Sequence, residues 1–267
     1  MFFHSDEGKL FYTTMGSGPT VVLLHPTPVD HRFWLSVADI LAPRYRLVMP
    51  DLRGHGQSEA GDGPITMARL AADTARLLDE LGIYRAFFAG CSIGGYTLYE
   101  LWRTIPSRVD GLAFCCSKPQ ADDEAARAKR EQNIALIRGK GKDSFIEGAL
   151  ESAIGPTCQT RWPNKVAEAR EMMQAISPDA LVAVQQGLAE RPDSVATAQT
   201  IRVPTCVIAA GEDAGSTPAD MRLLAEQIRN GGYGAEYHEI PDAGHFAPFE
   251  QPELVGRMLR NFCDSVL

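Results

Sequence analysis

The sequence predicts an α/β fold in which a mostly parallel sheet carries helices on both faces. Three observations predict this fold. Short apolar runs, typical of strands buried on both faces, alternate with amphipathic helical patterns along most of the chain. Residues 120–196 contain helical patterns and no strand pattern. Polar side chains directly follow several of the apolar runs, which is where an open parallel sheet binds its ligands.

The strands are predicted from apolar runs that are bounded by turn residues. The first run alternates loosely and ends at the turn Gly16-Ser17-Gly18-Pro19, so it predicts a hairpin that leads into a buried strand. Pro50 ends the third run, because proline cannot donate a hydrogen bond to the sheet. The predicted strands are residues 9–15, 20–24, 46–49, 87–91, 111–116, 205–210 and 235–240.

The helices are predicted from their caps and their apolar faces. Thr66 is a suitable N-cap for a helix in which Leu70, Leu77 and Leu81 share one face. Ser177 caps another helix, and Pro178 stands in its first turn, where proline is tolerated. One helix is expected to begin near residue 94, and the others cover residues 66–81, 124–137, 144–154, 165–176, 178–188, 219–228 and 253–266.

The domain organisation follows from this order of elements. A chain of 267 residues is long enough for one large α/β unit with an insertion. No linker, low-complexity run or internal repeat divides it. We expect an α/β core of residues 1–119 and 197–267 and an all-helical insertion of residues 120–196.

Composition excludes several classes of function. The formal net charge of -8 argues against a nucleic acid or an anionic membrane as partner, since both select basic surfaces. The N-terminus lacks the pattern of a signal peptide, and no apolar run is long enough to span a membrane, so we expect a soluble cytoplasmic protein. The six cysteines have neither C-x-x-C pairs nor histidines at zinc spacing, which predicts reduced core residues and no structural metal.

A serine between small residues ends the fourth apolar run, in the sequence Gly90-Cys91-Ser92-Ile93-Gly94-Gly95. A G-x-S-x-G pattern after a strand and before a helix predicts a sharp turn that exposes the serine hydroxyl and strains its backbone. Gly90 and Gly94 would relieve the crowding of that turn. The Ile93 N–H at the start of the helix is then a natural donor to a developing oxyanion. Ser92 is therefore the candidate nucleophile.

An acid and a histidine follow the last two predicted strands. Asp213 comes just after residues 205–210, and His245 comes just after residues 235–240. The order serine, acid, histidine is the one expected for a nucleophile on such a turn. Imidazole is also the base that serine needs near pH 7. We therefore predict that His245 is the base and that Asp213 is the acid that orients it, with the adjacent Glu212 as the alternative register for the acid.

These motifs resemble those of α/β-hydrolase-fold serine hydrolases over nearly the whole chain. The matching segments are His25-Pro26, residues 50–56, residues 90–95, and Gly244-His245-Phe246 running to Glu250-Gln251-Pro252. Within that family the chain is similar to 3-oxoadipate enol-lactonases and small carboxylesterases. The resemblance implies a helical cap at residues 120–196 and cofactor-independent hydrolysis of a small ester or lactone through an acyl-enzyme. Serine at position 92 argues against dehalogenase or epoxide hydrolase chemistry, because those relatives carry aspartate there.

The resemblance also suggests the remaining site residues. Pro26 and Pro28 lack an N–H, so Thr27 has the only backbone donor of this stretch, and we predict an oxyanion hole made by the N–H groups of Thr27 and Ile93. The loop at residues 51–56 is interpreted as structural. Four apolar side chains are candidates for the substrate pocket under the cap: Trp34, Trp162, Met173 and Phe246.

Other functions remain open at the level of sequence. A carbon–carbon bond hydrolase and a perhydrolase use the same three catalytic residues, and sequence does not separate them from an esterase or lactonase. A small-molecule receptor without turnover is a further alternative, which an intact Ser-Asp-His set disfavours. The expected partner is a small ester or lactone, and the sequence is compatible with a homo-oligomer.

Overall fold

The computed structural model describes residues 1–5 and 7–267. The described residues form an eight-stranded sheet with the order β1-β2-β4-β3-β5-β6-β7-β8. The strands β3 to β8 run parallel, and β1 and β2 are antiparallel to their neighbours at one edge. The strands are β1 (Phe2–Ser5), β2 (Gly8–Met15), β3 (Thr20–Leu24), β4 (Arg46–Pro50), β5 (Ala86–Cys91), β6 (Val109–Cys115), β7 (Thr205–Ala210) and β8 (Ala235–Ile240). The predicted mostly parallel α/β fold is confirmed.

The hairpin prediction at the N-terminus was wrong in its pairing. The strand β2 pairs with β1 and β4, whereas β3 pairs with β4 and β5. Residues 21–24 of β3 are completely buried, while most of β2 stays partly exposed, so β3 belongs inside the sheet and β2 near its edge. Local alternation does not report this crossover, because it depends on which distant strand lies beside each edge.

Helices cover both faces of the sheet. Successive residues of β3 belong to different apolar clusters: Val21 and Leu23 pack on one face, and Val22 and Leu24 pack on the other. The helices are α1 (Leu35–Leu41), α2 (Met67–Glu80), α3 (Ile93–Thr104), α4 (Glu124–Lys140), α5 (Lys142–Ala153), α6 (Pro156–Arg161), α7 (Pro163–Gln174), α8 (Pro178–Ala189), α9 (Val195–Ala198), α10 (Pro218–Asn230), α11 (Ala247–Glu250) and α12 (Pro252–Val266). Among the described residues, no helix is both long and apolar enough to cross a membrane.

Between β6 and β7 the chain forms helices α4 to α9. Within this stretch α4 packs on α8 and α5, and α5 packs on α7. Two short helices there, α6 and α9, were not predicted, because each is too short to show a periodic apolar face. The six cysteines are buried and free, as expected for core residues.

Candidate active site

Ser92 occupies a strained turn between β5 and α3. Its φ of 52° and ψ of -118° lie in a region that residues with a side chain rarely adopt. The turn requires the neighbouring glycines, since a Cβ on Gly90 would come within 2.4 Å of the Gly94 backbone, and a Cβ on Gly94 within 2.2 Å of a backbone oxygen of β3. The turn leaves Ser92 7% exposed at the carboxyl end of β5.

Asp213 and His245 form a hydrogen-bonded pair. His245 Nδ1 lies 2.7 Å from Asp213 Oδ2. The other carboxylate oxygen, Oδ1, accepts hydrogen bonds from the N–H groups of Gly215 at 2.8 Å and Ser216 at 3.1 Å. A carboxylate accepts at this distance, so Nδ1 carries the proton and Nε2 is the free basic nitrogen. Three hydrogen bonds thus orient the carboxylate and fix the position and tautomer of the imidazole.

The two partners shift each other's pKa. Burial would raise the pKa of the Asp213 carboxyl, but the charge and hydrogen bond of His245 outweigh burial, so the pKa lies below its usual value. Burial would lower the pKa of His245, but the Asp213 carboxylate outweighs it and raises the pKa above its usual value. Because its pKa is raised, the neutral imidazole of His245 is a stronger base than a free imidazole.

Glu212, the alternative acid, is engaged elsewhere. Its carboxylate accepts hydrogen bonds from the N–H of Thr157, at 3.1 Å, and from the Thr157 hydroxyl. Thr157 lies in the first turn of α6, where an acidic group complements the helix dipole. The structure therefore brings Asp213, and not Glu212, to His245.

The His245 loop lies against the serine turn. Cys91 Sγ is 3.5 Å from the carbonyl oxygen of His245, which places that loop beside the residue preceding Ser92. In the described part of the chain, the Ser92 hydroxyl and His245 Nε2 each lack a hydrogen-bond partner. Such catalytic hydrogen bonds are often long in a free enzyme and shorten when substrate binds.

Thr27 offers a backbone N–H as a donor, because its hydroxyl already makes a hydrogen bond within the protein. His55 Nδ1 lies 2.9 Å from the Arg53 carbonyl oxygen, so this nitrogen is protonated and Nε2 accepts. The Thr27 hydroxyl, 2.9 Å from His55 Nε2, is therefore the donor of that bond. Burial lowers the pKa of His55 to about 3, which keeps the ring neutral as this arrangement requires. The hydroxyl proton is thus unavailable to a substrate, and the backbone N–H is the donor that remains.

Both predicted oxyanion donors are unpaired in the described residues. The backbone hydrogen bonds include none from the N–H of Thr27 or of Ile93. Ile93 is the first residue of α3, where N–H groups have no partner within the helix. His55 was interpreted only as part of a structural loop, and its contact with Thr27 shows what that loop holds in place. Sequence carries no direct sign of this contact, because the two residues belong to different loops.

Loss of the Thr27 donor should slow catalysis. For Thr27→Pro we expect kcat to fall by about a hundredfold or more, because one of the two predicted oxyanion donors is removed. Thr27→Ala keeps the N–H and should retain kcat, while the lost bond to buried His55 costs about 1–3 kcal/mol of stability. Steady-state kinetics and thermal unfolding measure both effects. Full kcat in a folded Thr27→Pro variant would exclude Thr27 from the oxyanion hole.

The four predicted pocket residues lie in or against one apolar cluster on one face of the sheet. Trp34, Met173 and Phe246 are fully buried, and Trp162 is partly buried at the edge of the cluster. Phe33 connects two of them, with ring centroids 5.2 Å from Trp34 and 5.3 Å from Phe246. The Trp34 indole N–H has no acceptor among the described residues. A role of these side chains in binding substrate remains a prediction.

A cluster of two aspartates and a histidine has the side-chain types that can bind a metal ion. Among the described residues, Asp30, His31 and Asp51 bring their side-chain ligand atoms within 4.8 Å of one another. Asp30 pairs with Arg32 at 2.8 Å, and Asp51 accepts hydrogen bonds from His31 Nδ1 at 2.6 Å and from the Gln57 N–H at 2.8 Å. Both carboxylates already have partners within the protein, so the cluster is explained by the hydrogen bonds that hold its loops together.

The sheet, its strained serine turn and the adjacent Asp–His pair together have the organisation of a hydrolase of the α/β class. A model of the alpha/beta hydrolase family matches residues 21–257, and the chain belongs to that family. The resemblance expected from the motifs is therefore confirmed.

The chain is similar to individual proteins of that family over nearly its whole length. The chain is 28% identical over 259 residues to 3-oxoadipate enol-lactonase 2 of Acinetobacter baylyi, covering 93% of this chain and 91% of that protein. A thermophilic esterase from Thermogutta terrifontis, solved with malate bound, superposes with a TM-score of 0.92 at 30% identity, covering 97% of this chain and 94% of the other. The enol-lactonase from Burkholderia xenovorans LB400 superposes with a TM-score of 0.91 at 26% identity, covering 99% and 100%.

Proposed function

We propose that the protein hydrolyses a small carboxylic ester or lactone through an acyl-enzyme, without a cofactor. The observation that carries this proposal is the hydrogen bond of Asp213 to His245 beside the strained turn of Ser92. The similarity to an enol-lactonase and to an esterase supports the same class of substrate.

The proposed reaction has two half-reactions. His245 Nε2 takes the Ser92 proton as the serine oxygen attacks the substrate carbonyl carbon, and the N–H groups of Thr27 and Ile93 stabilise the oxyanion. The bond between the carbonyl carbon and the leaving oxygen then breaks, and His245 gives the proton to this oxygen. An ester releases its alcohol, whereas a lactone keeps the new hydroxyl on the acyl chain, and acyl-Ser92 remains in both cases. In the second half-reaction His245 takes a proton from a water that attacks this ester, the bond between the Ser92 oxygen and the acyl carbon breaks, and His245 returns the proton to the Ser92 oxygen as the acid is released.

We propose that residues 120–196, which contain helices α4 to α8, act as a cap that selects the acyl group. The cap contacts the catalytic loops directly, since the N–H of Phe246 donates to the Ala153 carbonyl oxygen at 3.0 Å and Lys165 Nζ to the Phe249 carbonyl oxygen at 2.8 Å. The edge position of Trp162 in the apolar cluster makes it the most accessible of the four candidate pocket residues.

A substrate panel tests this proposal. The same preparation is assayed against p-nitrophenyl esters of increasing acyl length, γ- and δ-lactones, dioxo acids, and acids with hydrogen peroxide. Preference for esters or lactones supports the proposal, whereas cleavage of dioxo acids alone or peracid formation alone would assign a carbon–carbon hydrolase or a perhydrolase. Turnover of no substrate would favour a receptor.

The same panel tests the cap. Met173→Ala opens space within the apolar cluster, and Trp162→Ala removes a partly exposed side chain at its edge. Both variants should therefore shift the preferred acyl length more than they change the highest kcat/KM. Met173→Ala should also lower stability by about 2–5 kcal/mol, because it leaves a cavity. An unchanged ranking of acyl lengths in both variants would show that Met173 and Trp162 have a structural role only.

A further inference from the structure

Glu250 is a buried carboxylate that the proposed reaction does not use. The residue is 2% exposed and ends the short helix α11. Its two oxygens each lie 3.1 Å from the Gly244 N–H, and Oε2 also lies 3.0 Å from the Gly155 N–H. Gly244 directly precedes His245, and Gly155 joins α5 to α6 in the proposed cap. One side chain therefore binds the backbone of the base loop and the backbone of the cap.

The two glycines pack directly against each other at this point. A Cβ on Gly155 would lie 2.6 Å from the Gly244 nitrogen, and a Cβ on Gly244 would lie 2.3 Å from the Gly155 nitrogen. Approach this close brings both N–H groups onto one carboxylate. On the other side of His245, the Phe246 N–H donates to Ala153 at 3.0 Å. The imidazole thus projects from a backbone segment that is held on both sides.

Glu212 offers a matched comparison. It also binds the cap from the core, through the N–H and hydroxyl of Thr157. Its side chain makes no hydrogen bond to residues 244–246 within the described chain. The two glutamates therefore share the contact with the cap and differ in the contact with the base loop.

We propose that Glu250 is a positioning residue for the reaction: through the Gly244 and Gly155 N–H groups it fixes His245 between Asp213 and Ser92 and makes that position depend on a seated cap. This role rests on the proposed function of His245 as the base. Among the described residues, the carboxylate makes no hydrogen bond to the Ser92 hydroxyl or to the imidazole, so it acts through the backbone that carries the imidazole.

The charge of Glu250 provides a second way to test its positioning role, through the pKa of His245. Burial raises the pKa of Glu250 to about 7, against the backbone N–H groups that favour its charged form. Its ionisable neighbours are Glu212, His245 and the thiols of Cys116 and Cys158, and Lys165 contributes a positive charge close to Cys158. The pKa of His245 is raised by Asp213 and also by Glu250, while Arg130 opposes them. Removing the Glu250 charge should therefore lower the pKa of His245.

The test compares Glu250→Ala, Glu250→Gln and Glu212→Ala with the wild-type enzyme. A displaced imidazole should lower kcat of Glu250→Ala by about ten- to a hundredfold with little change in KM, because small displacements of a catalytic group are costly. The Gln carbonyl oxygen can accept both N–H bonds, so Glu250→Gln should recover most of kcat, with its acidic limb moved to lower pH. Glu212→Ala should lower Tm but keep kcat.

The outcomes distinguish a failure of the positioning role of Glu250 from a failure of the proposed hydrolase function. Equal losses of kcat in Glu250→Ala and Glu212→Ala, or unchanged kcat and pH profile in both Glu250 variants, would overturn the positioning role while leaving the hydrolase intact. Absence of wild-type turnover would instead contradict the proposed function. The pKa of His245, measured by NMR of its imidazole, is independent of turnover, and an unchanged value in folded Glu250→Ala, which loses both the contacts and the charge, would also count against the positioning role.

Discussion

The Ser92→Ala variant is expected to lose hydrolysis of every ester and lactone that the wild-type enzyme cleaves, with kcat lower by about 10⁴ to 10⁶. Alanine keeps the turn between β5 and α3 and removes the oxygen on which we propose that the acyl-enzyme forms. The residual rate would come from substrate binding and the oxyanion donors. Steady-state kinetics with a sensitive ester, such as p-nitrophenyl acetate, measures the change.

The fold of this variant provides the control. The hydroxyl of Ser92 makes no hydrogen bond in the described part of the chain, so its loss should leave circular dichroism and Tm close to those of the wild-type protein. Residual kcat within tenfold of wild type in a folded Ser92→Ala preparation would show that another group is the nucleophile.

The Asp213→Asn variant is expected to fold and to lose about 10⁴ in kcat, as a change of tautomer does in serine proteases. The N–H groups of Gly215 and Ser216 donate to Oδ1, so the Asn carbonyl oxygen should occupy that position. Its NH₂ group then faces His245 Nδ1 and can only donate. This forces the proton onto Nε2, where the imidazole cannot accept the proton of Ser92.

Glu212→Gln is the matched control for this change. It neutralises the neighbouring carboxylate, whose partner is Thr157, and should leave kcat within a few-fold of wild type. In the wild-type enzyme, kcat/KM should fall as pH drops through the raised pKa of His245, since only the neutral imidazole is a base. Asp213→Asn with kcat close to wild type, or a large loss in Glu212→Gln, would move the acid to another residue.

Much of the fold was predictable because its signals are local. Buried parallel strands appear as continuous apolar runs, and the helix after Thr66 was expected from its cap and is capped by Thr66 in the structure. The turn at Ser92 was predictable for a similar reason, since only glycine tolerates the close approaches at positions 90 and 94. In each case neighbouring residues in the sequence carry the physical constraint.

The features that sequence did not predict depend on distant contacts. The pairing of β2 with β4 requires a crossover that alternation does not reveal. Asp213 was predicted as the acid from its position after β7, but the neighbouring Glu212 is ruled out only by its contact with Thr157 of α6, which is distant in sequence. Glu250 was noticed only as part of the motif after His245, yet its position a few residues after a catalytic histidine and just before Pro252 is a sequence signal that could have drawn attention to it.

The nucleophilic role of Ser92 is tested most directly by trapping the acyl-enzyme. The protein is mixed with p-nitrophenyl acetate, quenched in acid during the first turnovers, digested and analysed by tandem mass spectrometry. We expect a single acetyl group on the oxygen of Ser92, and no such group in the Ser92→Ala variant. An acetyl group on Cys91 or on another residue in the wild-type enzyme, with Ser92 unmodified, would contradict the proposed mechanism.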